Sequence, residues 1–322
     1  MKAVIVKEYG GPEVMSYEEV DMPTFGASDV LVKVEAAGIN FIDTYQRSGL
    51  YPVPLPTTLG LEAAGTVEEL GADVTHFSKG DRVAYTSVAG AYAEYAAVPE
   101  EKLVSLPDGV GFNAGAAAML QGCTAHYLSQ STYPIKNGDS CLIHAAAGGV
   151  GLLVCQWAKH LGATVIGTVS TRAKAELAGS HGCDHPILYR DESFVGRVRE
   201  LTNGEGVPVV YDSVGRDTFD GSLDCLRPLG LMVTFGQSSG PVPPLAVHEL
   251  TARGSLFLTR PTLATYTATR EQLLANAAEL FDVVKKGVVK IEINQTYPLQ
   301  NAEQAHRDLE SRKTTGATVL LP

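Results

Sequence analysis

The segment His144-Ala145-Ala146-Ala147-Gly148-Gly149-Val150-Gly151 constrains this chain more than any other. It follows an apolar run at 141–145 that reads as a strand and leads into 150–161, which reads as an amphipathic helix. A helix that starts on small residues leaves its first-turn N–H groups unpaired and its positive dipole end open. Glycines at such a start let the backbone approach a pyrophosphate, so Ala146-x-Gly148-x-x-Gly151 reads as a dinucleotide loop with alanine at the first glycine position. The same three positions, taken alone, also fit a plain glycine turn.

The surroundings favour the dinucleotide loop. From about residue 122, strands at 141–145, 164–169, 186–189, 209–213, 231–236 and 255–258 alternate with helices at 150–161, 172–181, 192–202, 218–226 and 246–252. Six strands in this rhythm predict a doubly wound parallel sheet of Rossmann type, an α/β fold, over 122–263. Residues 1–121 read as a β-rich domain, with runs at 2–6, 30–34, 65–70, 82–85 and 92–98 parted by turn clusters such as Gly10-Gly11-Pro12 and Ser78-Lys79-Gly80-Asp81. Over 264–322 the pattern changes again. A helix at 270–286 opens on Thr269 with Gln272 in capping-box spacing, a helix at 302–312 follows Asn301 as its cap, and 318–321 forms a last strand.

Charge and cysteine usage exclude several classes of function. Lys and Arg number 25 against 36 Asp and Glu, a net charge of −11, which argues against a nucleic-acid surface. No run approaches the roughly 18 apolar residues of a membrane span, and Met1 to Val6 reads as a first strand, so a cytoplasmic protein is expected. Cys123, Cys141, Cys155, Cys183 and Cys225 are odd in number and widely spaced, the pattern of reduced thiols and not of a disulfide framework or a zinc knuckle.

An NAD site usually places Asp or Glu about 20 residues after the glycine loop, against the ribose 2′-hydroxyl. This chain has Ser170-Thr171-Arg172-Ala173-Lys174 there, with no carboxylate before Glu176. Unit charges 4 Å apart at an effective dielectric of 20 interact by about 4 kcal/mol before desolvation, enough for one or two cations to select a 2′-phosphate. The cofactor expected is therefore NADPH. The duller reading is that Arg172 and Lys174 merely solvate a helix start.

Beyond the loop, the chain carries Gly11-Pro12-Glu13-Val14, the run from Ala37 to Tyr45, Arg47-Ser48-Gly49-Leu50-Tyr51-Pro52, Gln156-Trp157-Ala158-Lys159, the run from Val210 to Gly215, Thr259-Arg260-Pro261 and Leu309-Glu310-Ser311-Arg312. In these segments, taken in order, it resembles the zinc-free, zeta-crystallin-like quinone oxidoreductase branch of the medium-chain dehydrogenase/reductase superfamily. The resemblance runs nearly the whole length. It implies a GroES-like β-barrel catalytic domain, an inserted Rossmann domain, a C-terminal segment returning to the first domain, and a nicotinamide held between the two. It also accounts for the alanine, since this branch looks like A-x-x-G-x-x-G. Zinc enzymes of the superfamily carry cysteine where this chain has Asn40 and Gly-His-Glu where it has Gly60-Leu61-Glu62, so no metal is expected. Without a Lewis acid, the acceptor should already be electrophilic, a requirement that quinones and conjugated enones both meet; the resemblance implies a small quinone.

The resemblance also implies residue roles. Asn40 would contact the nicotinamide ribose or the substrate oxygen, although an Asx turn is the structural alternative. Tyr45 and Tyr51 would stack on, or donate to, a flat acceptor, or else simply pack. Arg260 would orient Asp43 or Tyr45 and favour negative charge on the acceptor, a surface salt bridge being the alternative. Thr124 would begin the helix joining the domains, contacting the nicotinamide or capping that helix. Gly148, Gly149, Val150 and Gly151 would cradle the pyrophosphate. Phe235, Gly236, Phe257 and Leu258 would supply backbone groups at the nicotinamide carboxamide, Lys174, Tyr189 and Arg312 would form the 2′-phosphate shell, and Ser170 and Ser238 would also bind the cofactor. His144 reads as a packed strand residue. A homodimer through the sheet edge at 255–258 is expected. The closest alternative is NADPH-dependent reduction of enones or alkenals, and a rival of another class is a non-catalytic NADPH-binding or RNA-associated protein.

Overall fold

Short strand-like runs recur through the first 105 positions, and the computed structural model, which covers residues 1–322, forms eight strands there. They are β1 (Lys2–Val6), β2 (Met15–Glu19), β3 (Asp29–Ile39), β4 (Thr57–Thr58), β5 (Glu62–Leu70), β6 (Arg82–Thr86), β7 (Tyr95–Pro99) and β8 (Leu103–Ser105), with helix α1 (Phe41–Arg47) after β3. Helix α2 (Phe112–Tyr127) follows. The sequence leads to a helix only from Thr124, because Ala114, Ala116, Ala117 and Ala118 give high helix propensity but no apolar stripe to reveal where it starts.

Then come β9 (Ser140–Ile143), α3 (Gly149–His160), β10 (Thr164–Val169), α4 (Arg172–Ser180), β11 (His185–Leu188), α5 (Phe194–Leu201), β12 (Val207–Asp212), α6 (Phe219–Cys225), β13 (Leu226–Thr234), α7 (His248–Ala252), β14 (Phe257–Thr259) and α8 (Leu263–Tyr266). The chain ends with α9 (Arg270–Lys285), β15 (Ile293–Pro298), α10 (Ala302–Glu310) and β16 (Ala317–Leu321). Thr269 and Gln272 form the expected reciprocal cap of α9, at 3.2 Å in both directions. Asn301 occupies the N-cap position of α10 but makes no side-chain cap bond, because its backbone is already close to helical (φ −100°, ψ 19°) and does not aim the amide at the first turn. Helix α10 also stops short of Arg312, which takes φ +61° just beyond it.

Two compact units result: Met1–Cys123 with Thr267–Lys285 and Ile291–Pro322, and Thr124–Tyr266 with Lys286–Lys290. The short return of 286–290 has a local cause. Gln156 on α3 pairs with Lys290 in both directions, accepting from its N–H at 2.8 Å and donating to its carbonyl at 3.1 Å.

In the first unit β3 is the organising strand. One edge pairs with β5; the other pairs with β7 along its first half and with β16 at its end, which brings the chain's last strand onto its third. The sheet order is β15-β16-β3-β5-β6-β8, wrapped around a core that includes Val30, Val32, Val34, Ile39, Leu59, Tyr85 and Leu320. A smaller sheet orders β2-β1-β4.

In the second unit all six strands are parallel, in the order β11-β10-β9-β12-β13-β14. The chain winds outward from β9 to β11, then returns to β12 and winds the other way. The switch point therefore lies between β9 and β12, where a doubly wound sheet binds its ligand. Leu142, Ile166, Ile187, Val210 and Met232 on the strands pack with Val198, Phe219 and Leu223 on the helices. All five cysteines are buried as free thiols, and no helix is long and apolar enough to cross a membrane.

Candidate active site

The glycine segment occupies the switch point. Gly148 is the N-cap of α3, in extended backbone (φ −82°, ψ 175°) and without a side chain to cap the helix. The first-turn N–H groups of Gly149, Val150 and Gly151 thus stand without intrahelical partners, as an anion requires. Gly151 is there for a different reason. A Cβ on it would lie 2.2 Å from the Ala145 carbonyl oxygen and 2.9 Å from the Ala146 Cα, so only glycine lets α3 pack this close to the turn. His144 is buried behind the turn, with its ring nitrogens 2.9 Å from Thr168 Oγ1 and 2.9 Å from Ser222 Oγ. Burial holds its pKa below the usual value, so it is a neutral strut.

The parallel strands deliver most of the other cofactor candidates to the same carboxyl edge. Ser170 follows β10, Tyr189 follows β11, Phe235, Gly236 and Ser238 follow β13, and Arg260 follows β14. Thr171 caps α4 by accepting from the Lys174 N–H at 3.3 Å, which sets Lys174 one turn inside that helix. The absence of a carboxylate at the end of β10 and the presence of Lys174 fit a 2′-phosphate, and the open first turn of α3 fits a pyrophosphate, so the residues present suit NADPH. Phe257 and Leu258 lie in the edge strand β14, 59% and 39% exposed.

Arg260 donates through its guanidinium to the Thr234 carbonyl and hydroxyl and to the Gly236 carbonyl. One expectation requires correction. Thr124 neither starts nor caps a helix. It sits in the last turn of α2, because the helix begins a dozen residues earlier at Phe112.

The first unit holds a buried polar network that the sequence reading did not assemble. Asn40 follows β3 as the N-cap of α1, and its backbone N–H donates to Asp43 Oδ2 at 2.8 Å. Its side-chain amide is gripped from both ends: Nδ2 donates to Glu62 Oε1 at 2.6 Å, and Oδ1 accepts from Gln121 Nε2 at 3.0 Å. Glu62 Oε2 accepts from the Leu120 N–H at 2.6 Å. Gly38 makes room for this carboxylate, since a Cβ there would lie 2.2 Å from Glu62 Oε1 and 2.7 Å from the Ala116 carbonyl. Burial pushes the Glu62 carboxyl up to about 8.

Asp43 terminates a second, directional chain. Arg47 can only donate, so His306 Nδ1, 3.0 Å away, accepts; His306 Nε2 then carries the proton and faces Tyr92 Oη at 3.2 Å; and Tyr92 donates to Asp43 Oδ2 at 2.8 Å. Burial, followed by the Arg47 charge, drives His306 down to about 3, so it stays neutral. Burial raises Asp43 to about 7. This chain ties α10 to α1, on which Tyr45 is carried. The rings of Tyr45 and Tyr51 meet edge to face at 5.3 Å and 68°, and the Tyr51 N–H donates to the Tyr45 carbonyl. Tyr45 is 9% exposed and Tyr51 half-buried, so the two form a small aromatic corner beside Asn40 in sequence. Beyond the Asn40-x-x-Asp43 capping-box spacing, the sequence signal for the network is Glu62, a lone carboxylate in the apolar run Leu61-Glu62-Ala63-Ala64. No group of three or more His, Cys, Asp or Glu side chains is placed to hold a metal ion.

Comparison with known proteins follows the same two-part division. Residues 26–108 match the model of the alcohol dehydrogenase GroES-like domain, and residues 149–275 that of the zinc-binding dehydrogenase. The chain is 53% identical over its whole length to a quinone oxidoreductase of Pseudomonas aeruginosa, covering 99% of that protein. It is 45% identical to a 2-haloacrylate reductase of a Burkholderia species, covering 99% of this chain and 98% of that protein. The crystal structure of Escherichia coli quinone oxidoreductase complexed with NADPH superposes with a TM-score of 0.98 at 47% identity, covering both chains completely.

Proposed function

This chain belongs to the quinone oxidoreductase branch of the medium-chain dehydrogenase/reductase superfamily, and from that premise we propose that it is an NADPH:quinone oxidoreductase acting on small quinones. The observation that carries the reading is the open first turn of α3 at the switch point of the parallel sheet, with Lys174 and no carboxylate after the neighbouring strand. When bound, NADPH supplies a hydride, which with one proton converts a quinone to its hydroquinone.

The chain's own residues bind and orient. The N–H groups of Gly149, Val150 and Gly151 hold the pyrophosphate, and Ser170, Lys174, Tyr189 and Arg312 the 2′-phosphate. The segments at Phe235, Gly236, Ser238, Phe257 and Leu258, with Thr124, hold the nicotinamide end. Asn40 offers its amide to the nicotinamide ribose or the acceptor oxygen. Tyr45 and Tyr51 give a flat acceptor a ring to stack on and a phenol to donate, and Arg260 adds positive charge for the reduced oxygen. Asp43 is fully buried and acts by holding α1 in place. The reaction runs without zinc, in the cytoplasm, in a homodimer joined at the exposed edge of β14.

The 2-haloacrylate reductase relative favours a second reading, reduction of an activated carbon–carbon double bond. Loss of NADPH absorbance with 1,4-benzoquinone or 9,10-phenanthrenequinone tests the first reading against it. Turnover with quinones and a lower KM for NADPH than for NADH is expected. Activity on alkenals with none on quinones would move the assignment, and a preference for NADH would overturn the cofactor assignment.

A further inference from the structure

An asparagine amide has two ends of nearly equal shape, one a donor and one an acceptor, and only its hydrogen-bond partners decide which way it points. At Asn40 those partners are unusually restrictive. Glu62 is fully buried, and both its oxygens face N–H donors: Oε1 the Asn40 amide and Oε2 the main chain at Leu120. Gln121 is 6% exposed and presents its own amino group to the opposite end of Asn40. The Leu120 N–H cannot turn, because it belongs to helix α2. When ionised, Glu62 is therefore held from a fixed point and in turn fixes Asn40, with its nitrogen toward the carboxylate and its oxygen toward Gln121.

We propose that Glu62, seconded by Gln121, is a positioning residue for the reduction. By locking the orientation of the Asn40 amide, it directs the remaining Asn40 N–H, a donor and not a carbonyl, at the reacting partners. The proposal rests on the reading that Asn40 touches the nicotinamide ribose or the acceptor oxygen. Its physical content is a mismatch that one atom creates. In Glu62→Gln the new side chain has a single acceptor oxygen. The immobile Leu120 N–H takes it, the amino group of the substituted side chain then faces Asn40, and Asn40 must turn its oxygen inward to meet it.

The test compares Glu62→Gln, Gln121→Met, Asn40→Ala and the Asn40→Ala/Glu62→Gln double variant. The readouts are kcat and KM for 1,4-benzoquinone, Kd for NADPH from its fluorescence, and the Asn40 side-chain amide resonances of protein labelled with nitrogen-15 at asparagine. Glu62→Gln is expected to shift the Asn40 amide pair and to lower kcat about tenfold, the scale of one misdirected hydrogen bond, with KM for the quinone nearly unchanged. In the Asn40→Ala background the same substitution should have no further effect on kcat, because nothing remains to orient. An equal loss in both backgrounds, or wild-type kcat in Glu62→Gln, overturns the proposal while leaving the reading of Asn40 intact. Wild-type kcat in Asn40→Ala overturns that reading and the proposal with it. Should Asn40→Ala fail to fold with the Glu62 carboxyl left unpaired, Gln121→Met carries the test. It keeps the volume and removes one hydrogen bond, so a shifted Asn40 resonance with lowered kcat supports the proposal, and a shifted resonance with unchanged kcat refutes it.

Discussion

Gly148 and Gly151 lie three residues apart in one loop, yet the structure gives them separate duties, and alanine at each should break only its own. At Gly151 the added methyl would sit 2.2 Å from the Ala145 carbonyl oxygen, against about 3.4 Å for an ordinary contact, so the start of α3 must retreat by about 1.2 Å. The obstacle is backbone on both sides and cannot rotate away. Overpacking of this kind costs about 1–3 kcal/mol, which for about 2 kcal/mol is a fall in Tm of about 4–8 °C in a domain of this size. The same retreat carries the first-turn N–H groups out of hydrogen-bond range of the pyrophosphate. At about 1.5–3 kcal/mol per bond to a charged group, losing one weakens NADPH binding about tenfold to a hundredfold. At Gly148 the nearest obstacle is a single carbonyl oxygen at 3.2 Å, and the backbone angles are ones any residue adopts. Gly148→Ala should keep its Tm and still bind NADPH less tightly, because its methyl stands where the pyrophosphate approaches. Thermal denaturation without ligand and NADPH fluorescence titration, run on both variants, decide the matter. A wild-type Tm for Gly151→Ala, or a wild-type Kd for Gly148→Ala, would refute this division of labour.

Three further outcomes are expected. Burial raises Glu62 from 4.5 to about 8 and Asp43 from 3.8 to about 7, so the folded state binds more protons than the unfolded one between those values, and stability falls as pH rises through them; above pH 6.5, where neutral His306 no longer costs anything relative to the unfolded chain, Tm should decline toward about pH 9, and more gently in Glu62→Gln, a slope that a pH series of melting curves measures. Lys174→Glu should raise KM for NADPH at least about tenfold while hardly changing KM for NADH, since it replaces an attraction to the 2′-phosphate by a repulsion; equal effects on both cofactors would return Lys174 to the role of a helix-start residue. Phe257→Asp places a charge on the exposed face of β14 and should convert the proposed dimer to monomers by light scattering; an unchanged mass would remove that strand from the proposed interface.

The second unit was legible because its signals are local. Strand 164–169 agrees with the structure residue for residue, and the other five strands of the sheet lie within a few residues of expectation, since a strand buried on both faces is a short apolar run between turn residues. The first unit was legible only in part. Strand β2 carries one buried residue, Met15, followed by half-buried and exposed ones, and it is a strand only because β1 pairs with it. Helix α2 hides in an alanine-rich stretch whose small side chains let it lie close to the sheet, at Gly38 and against Ala317 and Val319.

The candidate site divides along the same line, for a physical reason. A phosphate cradle is made from one turn and the helix after it, so eight consecutive residues announce it. Orientation of a single side chain is made from whatever the fold brings to it. For Asn40 that means Glu62 from β5, Leu120 and Gln121 from α2, and, through Asp43, a chain of donors drawn from Tyr92, His306 and Arg47. Those partners span sequence separations from 3 to 259 residues, and only Asp43 stands in a local motif with Asn40, the capping box of α1. The sequence therefore identifies residue types chemically able to meet a substrate, while the direction in which the Asn40 amide points is a property of the tertiary structure alone. Replacing the carboxylate of Glu62 by its nearly isosteric amide is for that reason the sharpest perturbation available. It leaves every sequence motif in place and alters only the partner that decides which way the Asn40 amide points.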